Sequence, residues 1–162
     1  MEIYYIDIEK FKKQRDKSFL EPYNDIGIKN EKRFFEYTIG RYLVKSVAKS
    51  VYNLKNLDIL TDNNGKPYFA KGGLYFNISH SKNIVLACFD SSPCGIDVEY
   101  MKDRNLEKFS KYYKEEFNNL EEFYRFWTLK EAKYKLGSNP TDIYSSKFNE
   151  NYWLTYVVDK NK

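Results

Sequence analysis

The chain has 162 residues, of which 42% are hydrophobic and 19% aromatic. That suffices to bury roughly 70% of the unfolded surface without a metal or disulfide staple, and it excludes a disordered chain. No apolar run is long enough to span a bilayer. The net charge of +4 is too small to mark nucleic-acid binding, yet it favours an acidic or phosphorylated partner. Glu2, Asp7 and Glu9 stand where an export signal needs a basic start and an apolar block, and two cysteines, Cys88 and Cys94, make no disulfide framework. The expectation is a cytoplasmic protein with neither membrane nor nucleic acid as partner.

In chain order, residues 2–8 are β-branched and aromatic and read as a strand. Residues 9–22 form a charged stretch with helical potential that stops at Pro22, and 23–29 read as a loop. Residues 30–52 are the clearest helix, with Asn30 as N-cap and Phe35, Ile39, Tyr42, Leu43 and Val47 on one apolar face. A turn at Asp62–Gly65 precedes a short strand at 67–69. Three strand-like runs follow, at 73–79, 83–90 and 94–100, and their short links predict antiparallel neighbours. Helical patterns at 105–118 and 120–136 precede a break at Asn139-Pro140 and a last strand at 152–158. Strands and helices are segregated, which predicts an α+β fold.

Four short stretches could carry chemistry. In CGIDVEY, Asp97 and Glu99 are two apart on a strand and share a face. Paired carboxylates repel, and a divalent cation such as Mg²⁺ offsets that repulsion; without the cation, removing Asp97 should leave stability unchanged or raised. In FYRFWTLKEAKYK, Trp127, Glu131 and Lys135 form one helical stripe. In FNISHS, the sole histidine, His80, lies between Ser79 and Ser81, a reading as a turn of donors suited to an anion. Gly65-Lys66-Pro67 presents a lysine on a shaped turn. Each alone reads more readily as a solvated strand face, a surface ion pair, an exposed histidine or an ordinary turn. Both cysteines lie in strand runs and read as small core residues, and no G-x-G-x-x-G or Walker loop is present.

In this order, GKP, FNISHS, CGIDVE and FWTLKEAKYK resemble the 4′-phosphopantetheinyl transferases of the surfactin and siderophore type, over about residues 30–136. The resemblance implies a pseudo-twofold pair of small α+β halves, here 1–92 and 93–162, with coenzyme A between them. It implies an enzyme that transfers the 4′-phosphopantetheine of coenzyme A to a serine of an acyl or peptidyl carrier protein, releasing 3′,5′-ADP. The magnesium carboxylates would be Asp97, Glu99 and Glu131. Lys66, Ser79 and His80 would hold the phosphates and adenosine, Lys135 the pyrophosphate with Lys130 beside it, and Glu131 would be the base. KRFFEYTIGRYL is similar to the family's R-x-x-E-[FY]-x-x-G-R stretch and implies Arg33 and Arg41 near the 3′-phosphate, with Glu36 where other members carry a basic residue. A non-catalytic relative that binds coenzyme A or a carrier protein is the alternative. The second half is expected to be short, with an exposed final strand that could pair copies into a weak dimer, the chain being otherwise monomeric. Lys108, Lys111 and Lys114 beside Phe109, Tyr112, Tyr113 and Phe117 would form a dock for an acidic carrier, or else a packed helix with a solvated face.

Overall fold

A computed structural model describes residues 1–162. The chain is α+β, and all its strand pairs are antiparallel. Strand β1 (Glu2–Asp7) leads into helix α1 (Ile8–Gln14), capped by the Asp7 carboxylate, which accepts from the Lys10 amide at 2.9 Å. The expected single helical stretch over 9–22 is divided. Asp16 caps a separate 3₁₀ turn at Lys17–Tyr23, whose tighter winding accommodates Pro22. Helix α2 (Glu31–Ser50) begins where Asn30 accepts the Arg33 amide at 3.0 Å.

Strands β2 (Ile59–Thr61) and β3 (Pro67–Phe69) make a small hairpin around the Asp62–Gly65 turn. Then come β4 (Tyr75–Ser81), β5 (Ile84–Asp90), β6 (Cys94–Tyr100), α3 (Leu106–Tyr113), α4 (Leu120–Leu136), β7 (Asp142–Asn149) and β8 (Tyr152–Val158). Helix α3 stops short of the expected residue 118, because Lys114 turns left-handed at φ 56° and the Ser110 carbonyl and hydroxyl take the amides of Glu115 and Phe117.

The strands form two three-stranded sheets, β1-β5-β4 and β6-β8-β7. The short link 91–93 therefore joins two sheets rather than making a hairpin, a correction to the expected antiparallel pairing of β5 with β6. The last strand is also not exposed. Strand β8 is central in its sheet, and β7, whose polar sequence gave no strand signal, lies at the edge.

Side-chain alternation builds the layers. Ile84, Leu86 and Cys88 of β5 meet Ile96, Val98, Leu154 and Tyr156 between the sheets. Ala87 and Phe89 of β5 face Leu43, Val44 and Val47 of α2, while Val157 of β8 faces Ala132 and Leu136 of α4. Each sheet is thus covered by one long helix on its outer side. Burying both faces explains why β5 reads as a continuous apolar run. Cys88 and Cys94 are free, buried thiols in this core, as their strand positions predict.

Candidate active site

Helix α4 lies directly on β6, and Gly95 is what permits it. A Cβ there would overlap the Ala132 carbonyl oxygen and come within 2.8 Å of the Leu136 amide nitrogen. This close approach fixes the helical stripe over the strand carboxylates. The Lys135 ammonium donates to Asp97 Oδ1 at 2.7 Å, to Ser79 Oγ at 3.0 Å and to the Ile96 carbonyl at 3.1 Å. Two stripe positions earlier, the Trp127 indole donates to Glu99 Oε1 at 3.3 Å. Asp97 is buried, so these carboxylates are not a solvated strand face. Asp97 is ion-paired with Lys135, so the expectation changes: its removal should carry a stability cost rather than relieve like-charge repulsion.

The FNISHS segment is strand, not turn, and its alternation sends its residues to two different places. Asn77, Ser79 and Ser81 face β6, where Asn77 Oδ1 accepts the Ile96 amide at 3.0 Å, Ser79 Oγ the Val98 amide at 3.2 Å and Ser81 Oγ the Tyr100 amide at 3.0 Å. Three side chains thereby satisfy edge N–H groups that no backbone ladder reaches. The same serine hydroxyls donate onward, Ser79 to Asp97 at 2.9 Å and Ser81 to Glu99 at 3.0 Å. Ser79 is thus engaged in holding the carboxylate and the seam between sheets.

His80 points to the opposite side, toward α2, with Nδ1 3.6 Å from Glu36 Oε1. Burial lowers its pKa from 6.5, partly opposed by the charge of Glu36. Nearby, Arg41 Nε donates to the Tyr37 hydroxyl at 3.1 Å, and that hydroxyl donates to Asp25 at 2.6 Å. Arg41 Nη1 is buried without a partner.

Lys66 lies on the β2–β3 turn and donates to the Cys94 carbonyl at 3.0 Å. Burial lowers its pKa. It lines a cleft of about 780 Å³ with Asn77, Lys133 and Lys135. Gly65, Pro67 and Ile78 also border a second cavity of about 340 Å³, lined by Arg33, Arg41 and His80, so the two are contiguous.

Among the expected metal residues, Asp97 and Glu99 are neighbours. Burial first, and the Asp97 charge second, raise the Glu99 pKa. Glu131 forms no hydrogen bond or ion pair, and no three acidic, histidine or cysteine side chains gather into a metal-binding group. Asp97 Oδ2 is buried and unpartnered. Oxygen donors of this kind suit a hard cation held by one or two carboxylates and by ligand phosphates, so Asp97 and Glu99 fit Mg²⁺. Lys130 lies apart from that pair, over the rings of Tyr113 and Trp127 at 5.0 and 5.3 Å.

Sequence patterns alone missed the bridging roles of Asn77 and Ser81, the packing role of Gly95, and Lys133 in the cleft. Strand parity in FNISHS, together with the free edge of β6, is the signal that could have found the first two.

No family model matches the chain. It is 34% identical over 129 residues to the 4′-phosphopantetheinyl transferase Sfp of Bacillus subtilis strain 168, covering 69% of this chain and 58% of that protein. It is 26% identical over 147 residues to the 4′-phosphopantetheinyl transferase gsp of Aneurinibacillus migulanus, covering 82% and 62%. A holo-[acyl-carrier-protein] synthase of Streptococcus mutans is 36% identical over 67 residues, covering 35% and 56%. The chain thus spans about three fifths of the length of the known relatives it matches. With the α+β fold and the ordered motifs meeting at one cleft, these similarities make the chain a relative of the 4′-phosphopantetheinyl transferases.

Proposed function

We propose that the chain transfers the 4′-phosphopantetheine group of coenzyme A to a serine of an acyl or peptidyl carrier protein. One observation carries the reading: Lys66, Ser79, Asp97 and Lys135, far apart in sequence, converge where the two sheets meet beside a cleft of about 780 Å³. The organisation that goes with it is two halves, 1–92 and 93–162, around one bound nucleotide.

In this reading Arg33, Arg41 and His80 face the nucleotide end of coenzyme A, and Lys66 and Lys135 face its diphosphate. Mg²⁺ held by Asp97 and Glu99, with Glu131 as a third candidate, would neutralise diphosphate charge when bound. The carrier serine oxygen bonds to the β-phosphorus. The bond from that phosphorus to the bridging oxygen breaks, and the electron pair leaves on 3′,5′-ADP. Such transfer depends mainly on positioning and charge stabilisation. Lys135 is oriented by three acceptors, so its charge is already in place as negative charge grows on the leaving oxygen. Glu131, on the same helical stripe and free of partners, takes the serine proton. The acidic carrier would dock on α3, where Lys108, Lys111 and Tyr112 line an open groove of about 550 Å³. Tyr112 is 76% exposed, whereas Phe109, Tyr113 and Phe117 pack against Phe123 and Trp127. The expected dock is therefore narrower than the whole helix.

A second reading, a module that binds coenzyme A or a carrier without catalysis, is favoured by two observations: Lys135 occupies Asp97, and no three-ligand metal group is assembled. Thermal denaturation with coenzyme A, with and without Mg²⁺, tests what both readings share. A ligand held only by the native state stabilises by RT ln(1 + [L]/Kd), about 2.7 kcal/mol at a hundredfold excess. A midpoint unmoved by saturating coenzyme A contradicts both, and transfer to an apo carrier separates them.

A further inference from the structure

The cavity of about 340 Å³ beside α2 holds a carboxylate between its two arginines. Glu36 sits between Arg33 and Arg41 along the helix, and its side chain is only 12% exposed. Its nearest side-chain nitrogens, His80 Nδ1 at 3.6 Å and Lys32 Nζ at 3.7 Å, are too far for a hydrogen bond. Lys32 is itself 78% exposed and so surrounded by solvent. The Glu36 carboxylate therefore has its accepting capacity unspent. Arg41, which lines the same cavity, has the opposite property. Its Nε is bound to Tyr37, but Nη1 is buried with no acceptor.

One free acceptor and one free donor on the same wall complement a group that both donates and accepts. A ribose hydroxyl does both. A phosphate dianion only accepts, and it would face the like charge of Glu36 at close range. An acidic side chain that binds a ribose hydroxyl, and an arginine that accommodates a phosphate in its place, is the same discrimination by which dinucleotide sites separate two cofactors.

We propose that Glu36 sets ligand choice at this end of the cleft, selecting a nucleotide with a free 3′-hydroxyl over one with a 3′-phosphate. The inference rests on the coenzyme A reading above and refines it: the preferred donor is 3′-dephospho-coenzyme A, and the leaving group is then 5′-AMP. It replaces the 3′-phosphate role that the family resemblance implies for Arg33 and Arg41. Arg41 Nη1 instead donates to the hydroxyl oxygen, and the hydroxyl hydrogen goes to Glu36. The positive balance of the wall still attracts the diphosphate nearby.

Calorimetric titration of the full chain with coenzyme A and with 3′-dephospho-coenzyme A, at fixed Mg²⁺, tests this. The wild type binds the dephospho compound at least as tightly as coenzyme A. Glu36→Lys reverses the ranking by about tenfold or more, since a like-charge pair is exchanged for an opposite one. Glu36→Gln, which keeps the shape, moves the ratio in the same direction and serves if the lysine variant does not fold. A wild type that prefers coenzyme A by about tenfold, or a ratio unmoved in both variants, overturns the inference and leaves the coenzyme A reading standing. Binding of neither compound overturns both.

Discussion

The Lys135 ammonium lies 2.7 Å from Asp97 Oδ1, and the same amine donates to Ser79 on β4 at 3.0 Å. One cation thus ties α4 and β6 to the neighbouring sheet, at the point where the motifs of the sequence converge. A charge buried with its partner contributes little net stability, but one left alone is costly.

Lys135→Met strands the buried Asp97 carboxylate. Because Lys135 is partly exposed, the expected loss is about 2–3 kcal/mol, below the full cost of breaking a buried pair. Asp97→Asn alone destabilises by about 1–2 kcal/mol, and the two losses do not add in the double variant. Urea denaturation of the four proteins measures the coupling. Additive losses show that the pair contributes nothing as a pair.

Gly95→Ala places a methyl group against the backbone of α4 at Ala132 and Leu136. The helix must move off β6, at a cost of about 1–3 kcal/mol, and Lys135 is drawn away from Asp97. Lost stability together with a weaker coenzyme A affinity is the expected pair of changes. Unchanged values for both show that α4 is not seated by this contact.

Ser81→Ala removes the acceptor for the Tyr100 amide and the donor to Glu99. The expected cost is about 1–3 kcal/mol, from an edge N–H left unpaired. Ser81→Thr, which keeps the hydroxyl, restores most of it. Equal stability of alanine and threonine variants contradicts the bridging role.

His80 has a folded pKa below its ordinary 6.5, mainly through burial, with Glu36 and Lys32 of α2, Lys135 of α4 and Asp97 of β6 as the charges facing it. Between the folded and unfolded values the unfolded state binds more protons, so this contribution is present above pH 6.5 and is lost as pH falls through the folded value. Melting temperatures followed from about pH 7.5 down to about pH 5.5 should decline, and decline less in His80→Gln. Parallel profiles for the two proteins remove His80 as the cause.

Reversing charge with Lys108→Glu and Lys111→Glu should raise the KM for an acidic carrier by about tenfold at low salt and much less at high salt. The coenzyme A affinity stays fixed, because α3 lies outside the cleft. A carrier KM indifferent to the double reversal places docking elsewhere.

The long amphipathic helices, and the strands buried on both faces, were legible in the sequence because apolar spacing, and for α2 the cap Asn30, state them directly. Strand β7 was not: at a sheet edge, Tyr144 and Lys147 meet solvent and Ser145 bonds to Thr155 and Trp153, so no apolar alternation marks it. The link 91–93 misled for a related reason, since length alone does not say whether a short connection turns back or crosses to another sheet. At the site, the helical stripe and the pairing of Asp97 with Glu99 followed from periodicity. The split of FNISHS between a seam and a pocket followed from parity, but only once β4 was known to run through Ser81. The unsatisfied atoms of Arg41 and Asp97 depend on neighbours distant in sequence, and no local pattern carries them.

Transfer itself is the most direct measurement. The wild-type chain is incubated with Mg²⁺, an apo carrier protein, and either coenzyme A or its 3′-dephospho form, and the intact mass of the carrier is recorded. A gain of one phosphopantetheine group, abolished in Asp97→Ala and Lys135→Met variants that remain folded, is the predicted result. A carrier mass unchanged across a panel of acyl and peptidyl carriers, from a protein whose melting temperature coenzyme A still raises, contradicts catalysis and leaves a binding module.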